Sequence, residues 1–346
     1  MAEAIKDVKL EKGMYDEVAK QRKSFNALLE EQDPSGEYQG ELGKLTAYER
    51  QLVKHDIRVK GLYADVVEKF FATTSSTVLF PDYVTGQVQA GILAASLLPQ
   101  ITAVTTDIGA ATYKGLVMAE TEADRQLHQI GEGTEIPVTT LSTTEHTVNL
   151  HKYGRRLEVT YEALKRQRID VVAVFLQRMG VQIGLDETDA ALGVIINGDG
   201  NSNPLVDTDS EVTTVLDYDE MTRLYLAFTA GYGLNTIVVG DPMLRTILNM
   251  NEFKDPDVGF SFQRTGQLMS PVGATMLRWT STAVLPTDYV LGIDSRFGLQ
   301  QLTDGGVTTE VDRIISRQTE QTVVSKWTGF VKLDTAAFNA IDVTHA

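Results

Sequence analysis

Between about Ala110 and Leu150 the chain offers almost no helix signal. Threonine, valine and glycine dominate there, and the cluster Gly131-Glu132-Gly133-Thr134-Glu135-Ile136-Pro137 lies near the middle. Two extended arms of ~12 to 15 residues joined near that cluster would reach ~40 to 50 Å, at ~3.3 Å per residue. That is longer than a compact domain needs, so the hairpin must find support beyond its own domain. The remaining chain is ample for a core. A protein of 346 residues buries roughly 75% of the surface its unfolded form exposes, which predicts one large or two medium domains.

The flanks of the hairpin are more regular. Leu157, Val159 and Tyr161 alternate with Arg156, Glu158 and Thr160, as in a strand with one apolar and one polar face. Asp170 is a plausible N-cap for a helix that opens with Val171-Val172-Ala173-Val174-Phe175 and persists to about Ile195. Asn197-Gly198-Asp199-Gly200 supplies its stop. Residues 205–318 read as a separate α/β-type lobe. In it Thr236–Gly240 is a buried strand and Asp241-Pro242 the N-cap and first position of a helix through Leu248; Met276–Leu285 and Tyr289–Ile293 are further strands. Thr322–Phe338 reads as one long returning strand.

The first 72 residues read as two helices and a break at Asp33-Pro34-Ser35-Gly36. From Lys44 to Phe71 the residues Tyr48, Leu52, Val59, Leu62, Tyr63, Val66 and Phe70 form a single apolar stripe on an otherwise solvated rod. Such an arm is too narrow for its own core, so the stripe is expected to lie on the rest of the protein or on another subunit. Thr73–Thr77 reads as a linker into an extended segment at Val78–Pro81, and a short apolar stretch, Ile92–Leu98, ends at Pro99.

Composition narrows function mainly by exclusion. Cysteine is absent, which removes disulfides, thiol nucleophiles and thiolate metal sites. There is no run of 18 apolar residues and no signal-peptide centre, so neither membrane spanning nor secretion is expected. The net charge is −16, and only residues 150–184, with seven bases and three acids, are locally basic. A broad phosphate-gripping face is therefore not expected. Walker, nucleophile-elbow and zinc-protease patterns are missing, and the five histidines are scattered. Asp199-Gly200-Asn201-Ser202-Asn203 begins like a calcium loop, but Pro204 and Ser210 stand where that loop needs Gly and Glu. The pairs Asp207/Asp209 and Asp217/Asp219 read as solvated acidic turns. No cofactor, metal site or catalytic group emerges, and the reading is not an enzyme.

Taken in order, these pieces resemble the major capsid protein of tailed bacteriophages, of the Hong Kong 97-type fold, an α+β architecture. The resemblance spans roughly residues 73–341. It rests on the hairpin with Glu132-Gly133 and Pro137, the strand through Arg155-Arg156-Leu157-Glu158-Val159, and the long helix with its Asn197–Gly200 ending. The closing stretch, a polar segment Arg313–Glu320 and then Trp327 to Ala337-Phe338, completes it. It implies a helical N-terminal arm (1–75), a peripheral P domain (76–107, 150–204 and 319–346), an extended E-loop (108–149) and an axial A domain (205–318). Its functional implication is self-assembly into pentamers and hexamers of an icosahedral shell, made in a bacterial cytoplasm and enclosing double-stranded DNA without sequence-specific binding. Portal, possible scaffold and decoration proteins are the other implied partners, with no membrane. The E-loop would lie over a neighbouring copy. There Arg125, Glu132 and Glu135 would meet bases, with Arg155, Arg156, Lys165, Arg166 and Arg168 as candidate acceptors. Some members crosslink through an E-loop lysine, but residues 108–149 contain only Lys114, near the base, so no crosslink is expected. The N-terminal arm is expected to be retained, with any scaffold a separate protein. An encapsulin-type nanocompartment shell of the same fold is the alternative.

Overall fold

The computed structural model describes residues 5–118, 129, 132, 141–143, 146–211, 215–229, 231–254, 271–281 and 283–344. These fall into two compact units, one drawn from residues 1–95, 152–184 and 305–326, the other from 96–151, 185–304 and 327–346.

The first unit begins with helices α1 (Met14–Gln21), α2 (Phe25–Gln32) and α3 (Ala47–Lys54). Each start has a local cause: the Ser24 hydroxyl accepts the Ala27 N–H, and Thr46 and Glu49 form a reciprocal capping box. The stretch between α2 and α3 is organised around Arg50, which is fully buried beside a fully buried Asp33. Its Nε donates to Asp33 Oδ2 at 2.9 Å, and its Nη1 donates to Ser35 Oγ at 2.8 Å and the Leu45 carbonyl at 2.7 Å. Its guanidinium also lies 4.6 Å from the Tyr38 ring centre. Such a buried ion pair persists only because its remaining donors are also matched.

Three expectations meet the structure here, of which the first and third fail. The helical rod over residues 44–71 stops at Lys54, because Asp56 and Gly61 take left-handed backbone angles (φ 51° and 93°) that no continuing helix accepts. Helix resumes only as a 3₁₀ segment, Val67–Phe71. The apolar stripe does lie on the rest of the protein, within the same unit, which is one of its two expected placements. Leu52 and Phe70 are buried with Phe25, Leu29, Leu79, Val84 and Leu176 in one core, and Tyr48 and Val59 pack against it.

A third expectation, the linker and extended segment after Ala72, is replaced by helix: α4 (Thr74–Thr77) and α5 (Leu79–Ala95). Thr73 caps α4 through Ser76, and Pro81 sits in the first turn of α5, where its missing N–H costs no hydrogen bond. The strand β6 (His151–Thr160) leads to α7 (Tyr161–Arg166) and to the long helix α8 (Ile169–Asn197). That helix starts one residue before Asp170, whose carboxylate accepts the Val171 N–H within the first turn rather than from the cap position. Helices α5 and α8 meet at glycines. A Cβ added to Gly180 would lie 2.0 Å from the Val88 carbonyl oxygen, and one on Gly91 2.1 Å from that of Gln177. Only glycine permits this approach. Opposite the helices, β12 (Thr308–Ile314) pairs antiparallel with the first half of β13 (Thr319–Lys332), which also pairs with β6.

The second unit contains a five-stranded sheet in the order β7 (Asp207–Asp209), β14 (Phe338–Asp342), β10 (Tyr289–Ile293), β8 (Thr236–Gly240), β9 (Thr275–Trp279). The wholly buried β8 follows from its apolar run. Helices α9 (Tyr218–Leu226) and α10 (Asp241–Asn249) belong to this unit. Gly240, not Asp241, is the cap of α10; Asp241 lies in its first turn and holds Arg278 through two bonds of 2.7 and 2.9 Å. The strand expected over 276–285 ends at Trp279, whose indole N–H donates to Asp189 at 2.9 Å. The closing strand is two pieces, because Asp334 caps a 3₁₀ turn, Thr335–Ala337, that separates β13 from β14.

Also in this unit, α6 (Leu98–Ile101), with Pro99 in its first turn, leads into β1 (Thr102–Asp107), which runs parallel to β11 (Leu299–Thr303). The second half of β13 pairs antiparallel with β11. At the end of α8 the buried Lys332 donates to the carbonyls of Ile195 and Asn203, both at 2.8 Å. Burial lowers its ammonium to a pKa of about 8. Asp199, in the calcium-like stretch, is spent on this helix ending: its carboxylate accepts the N–H groups of Asn201 and Lys332. Among the described residues no helix is long and apolar enough to cross a membrane, and no group of three metal-ligating side chains occurs.

Candidate intersubunit surface

Two surfaces, one in each unit, stand out among the described residues. The first is the ribbon of the second unit. Its base is an antiparallel ladder of β2 (Thr112–Tyr113) on β5 (Val148–Asn149), followed by β3 (Leu116–Met118) on β4 (Leu141–Thr143). Thr112 stands opposite Asn149, whereas Leu116 stands opposite Thr143, so the returning arm has two more residues between the ladders than the outgoing arm. Leu116 is 51% exposed. Twenty-two residues separate the last described pair, Met118 and Leu141.

The second surface lies on the first unit, at the start of α8. Ile169, Leu176 and Met179 enter the core, and Val172 packs on it. Val171, Val174 and Phe175, on the opposite side of the same turns, are 42%, 63% and 59% exposed. Five consecutive apolar residues cannot all face one core at a helical pitch of 3.6. The sequence run Val171–Phe175 held that signal, which was read only as helix. Beside it, the loop after α3 is tied down by backbone bonds. Val67 N–H donates to the Gln167 carbonyl at 3.0 Å, and Ile169 N–H to that of Asp65 at 2.9 Å. Its Leu62 and Tyr63 are 79% and 74% exposed.

The charged candidates distribute unevenly around these features. Arg155 and Arg156 are exposed on β6, and Arg166 is exposed at the end of α7. Arg168 is half-buried and already engaged, donating to Asp170 at 2.8 Å and to the Gly61 carbonyl at 3.0 Å. The structure thus brings Arg166 and Arg168 to the start of α8, with Arg155 and Arg156 on the strand before it. Glu132 is exposed; Arg125, Glu135 and the side chain of Lys165 lie outside the described residues. The acidic pairs have structural uses: Asp207 accepts the Tyr289 hydroxyl at 2.5 Å, and Asp217 caps α9.

A sequence profile described as phage capsid protein matches residues 143–343, more than half of the chain. The chain belongs to that family. None of the curated protein sequences compared with it matches. Among solved structures, the capsid of an empty GTA particle superposes with a TM-score of 0.52 at 17% identity, covering 72% of this chain and 90% of that one. A virus-like particle from Pyrococcus furiosus gives 0.51 at 11% identity, with 76% and 99% covered. A structure from Microbacterium phage Oxtober96 gives 0.51 at 12%, with 72% and 91% covered. Such identities carry the fold and nothing finer. The protein is a capsid shell protein of α+β, Hong Kong 97-type fold.

Proposed function

We propose that the protein assembles into the pentamers and hexamers of an icosahedral phage head that encloses double-stranded DNA. The observation that carries this reading is the ribbon: a paired base in a member of the phage capsid family, extended by twenty-two residues. Unpaired strand edges and a long reach suit it to lie across an adjacent copy. Residues 108–149 act as the E-loop, 76–107, 150–204 and 319–346 as the P domain, 205–318 as the A domain and 1–75 as the N-terminal arm. Each copy touches several others, so contacts of ~1,000 to 2,000 Å² apiece sum to a stable lattice without bond chemistry. Ring-closing heterologous contacts produce the capsomers. Glu132 and Glu135 pair with exposed bases of the neighbour, of which Arg155, Arg156 and Arg166 are the most available. Lys114 at the ribbon base is the sole lysine in the E-loop, and the lattice is noncovalent. The shell forms in the bacterial cytoplasm, with portal, scaffold and decoration proteins as partners.

The purified chain should sediment as megadalton particles visible by negative stain, containing nuclease-protected DNA when recovered from virions. Boiled in detergent, these should release the chain at 38.0 kDa with no ladder of its covalent multimers. A chain that stays monomeric at high concentration would refute the assembly. The likeness to the Pyrococcus furiosus particle, of which 99% is covered, favours a second reading, a nanocompartment shell; protein cargo in place of protected DNA would select it.

A further inference from the structure

The second unit holds a helix with two faces free of charge, of which it uses one. Met221 and Leu224 of α9, with Phe228 just past its end, are buried in a core with Val290 of β10 and Ile341 of β14. On the outer side Tyr218, Thr222 and Tyr225 follow one another at helical spacing, with Leu226 beside them and Val215 just before the helix. We propose that this outer face is a docking site for a short basic amphipathic helix of a separate protein. The face is complete in a single copy, so the site goes beyond the shell reading and does not need it.

Area sets the size of the partner. Val215, Tyr218, Tyr225 and Leu226 together expose on the order of 400 Å², within the ~300–600 Å² of the largest apolar patch on a typical monomer. Burying that much on each side gives a contact below ~1,200 Å², the size of weak, reversible complexes. Shape sets its form. A ridge at positions i, i+4 and i+7 fits the groove between the turns of another helix. This ridge is preformed, because the Asp217 carboxylate accepts the Glu220 N–H at 3.0 Å and the core holds the inner side, so little ordering entropy opposes docking. Charge sets its sign. Arg223 is the only base between Arg178 and Arg245, and it is already engaged, donating to Glu220 at 2.8 Å and to the Asp209 carbonyl at 3.3 Å. The carboxylates of Asp209, Asp217 and Asp219 are exposed and have no cationic partner among the described residues. A partner that covers the ridge comes down among these carboxylates, so it must supply lysines or arginines. A second copy presenting the same face would oppose like charges, which disfavours symmetric self-pairing.

The probe is a fluorescein-labelled peptide of about 14 residues, leucines and lysines at helical spacing, titrated against the full chain and followed by anisotropy. A Kd on the order of 10 μM is expected at low salt, as suits a contact of this size, and the same peptide with glutamate in place of lysine should not bind. The double variant Tyr225→Ser/Leu226→Ser should weaken the complex about tenfold or more, and Asp219→Lys about fivefold, each with the chain's Tm unchanged. Leu93→Ser, at an equally exposed leucine of the other unit, should change nothing. Binding that survives the double variant, that the glutamate peptide matches, or that is absent altogether would overturn the site. So would loss of particles from the double variant at an unaltered Tm, which would assign the face to a second copy.

Discussion

The N-terminal segment and the ribbon look alike in the sequence, each a long, thin stretch with nothing of its own to fold against, but they solve that problem differently. The N-terminal segment has a ring of partners for one buried arginine and a stripe that its own unit covers. The ribbon has only a foothold: Val148 is buried with Leu150, Leu302 and Val331, and Tyr113 packs against them. Its described strands pair only with each other, in ladders of two and three residues. A segment that can match its polar groups internally folds home. One whose described strands find no third strand keeps open edges with which another chain can pair.

Variants can break this contrast, beginning with the platform on which the N-terminal segment rests. Gly180→Ala should be the most damaging, costing at least ~3 kcal/mol or preventing folding, because its methyl would enter the Val88 carbonyl and push α5 off α8; denaturant melts measure it. Arg50→Ala leaves Asp33 buried and unpaired, and a loss of about 3–5 kcal/mol is expected. Limited proteolysis should then cut within residues 14–54 before anything else. Tyr15→Phe removes a hydroxyl that donates to the Val78 carbonyl at 2.7 Å and accepts the Asp82 N–H at 3.2 Å. About 1 kcal/mol should be lost, visible as faster amide exchange in α1.

Acidity probes the same junction. Burial raises the Asp82 carboxyl from 3.8 to about 6, and the titratable groups facing it are the phenols of Tyr15 and Tyr48. Its neutral form is the one favoured when the segment is docked. That contribution is complete below about pH 4 and lost as the pH rises through 6. Amide exchange in α1 and α3 should therefore be slower at pH 5 than at pH 7.5 after correction for intrinsic rates, and Asp82→Asn should abolish the difference. The smallest effect on the monomer should come from the ribbon. Replacing residues 119–140 by Asn-Gly, which suits the directly opposed Met118 and Leu141, should move Tm by less than ~2 °C while abolishing particles.

Much of the architecture was legible because it depends on local pattern. The alternation around Leu157, the buried run of β8 and the glycine-rich stop after Asn197 each require only neighbours in the chain. What escaped was set by distant partners. The periodicity from Tyr48 to Phe70 could not reveal that Asp56 turns left-handed, and Thr73–Pro81 looked extended because a cap and a first-turn proline imitate a linker. The candidate surface was half legible. The exposed arginines stood out as a charge block, while the exposed apolar surface was missed because the loop of Leu62 and Tyr63 is tied to residues 167–169 only through hydrogen bonds across a hundred residues of sequence.

The mismatch between the two ladders of the ribbon has a mechanical meaning. With Thr112 opposite Asn149 but Leu116 opposite Thr143, they cannot form one stiff sheet, and a bulged pair bends where its count is unequal. In the shell proposed above, identical chains must greet neighbours at more than one angle. In such a shell the two surplus residues of the returning arm would mark the place where the ribbon takes up that variation.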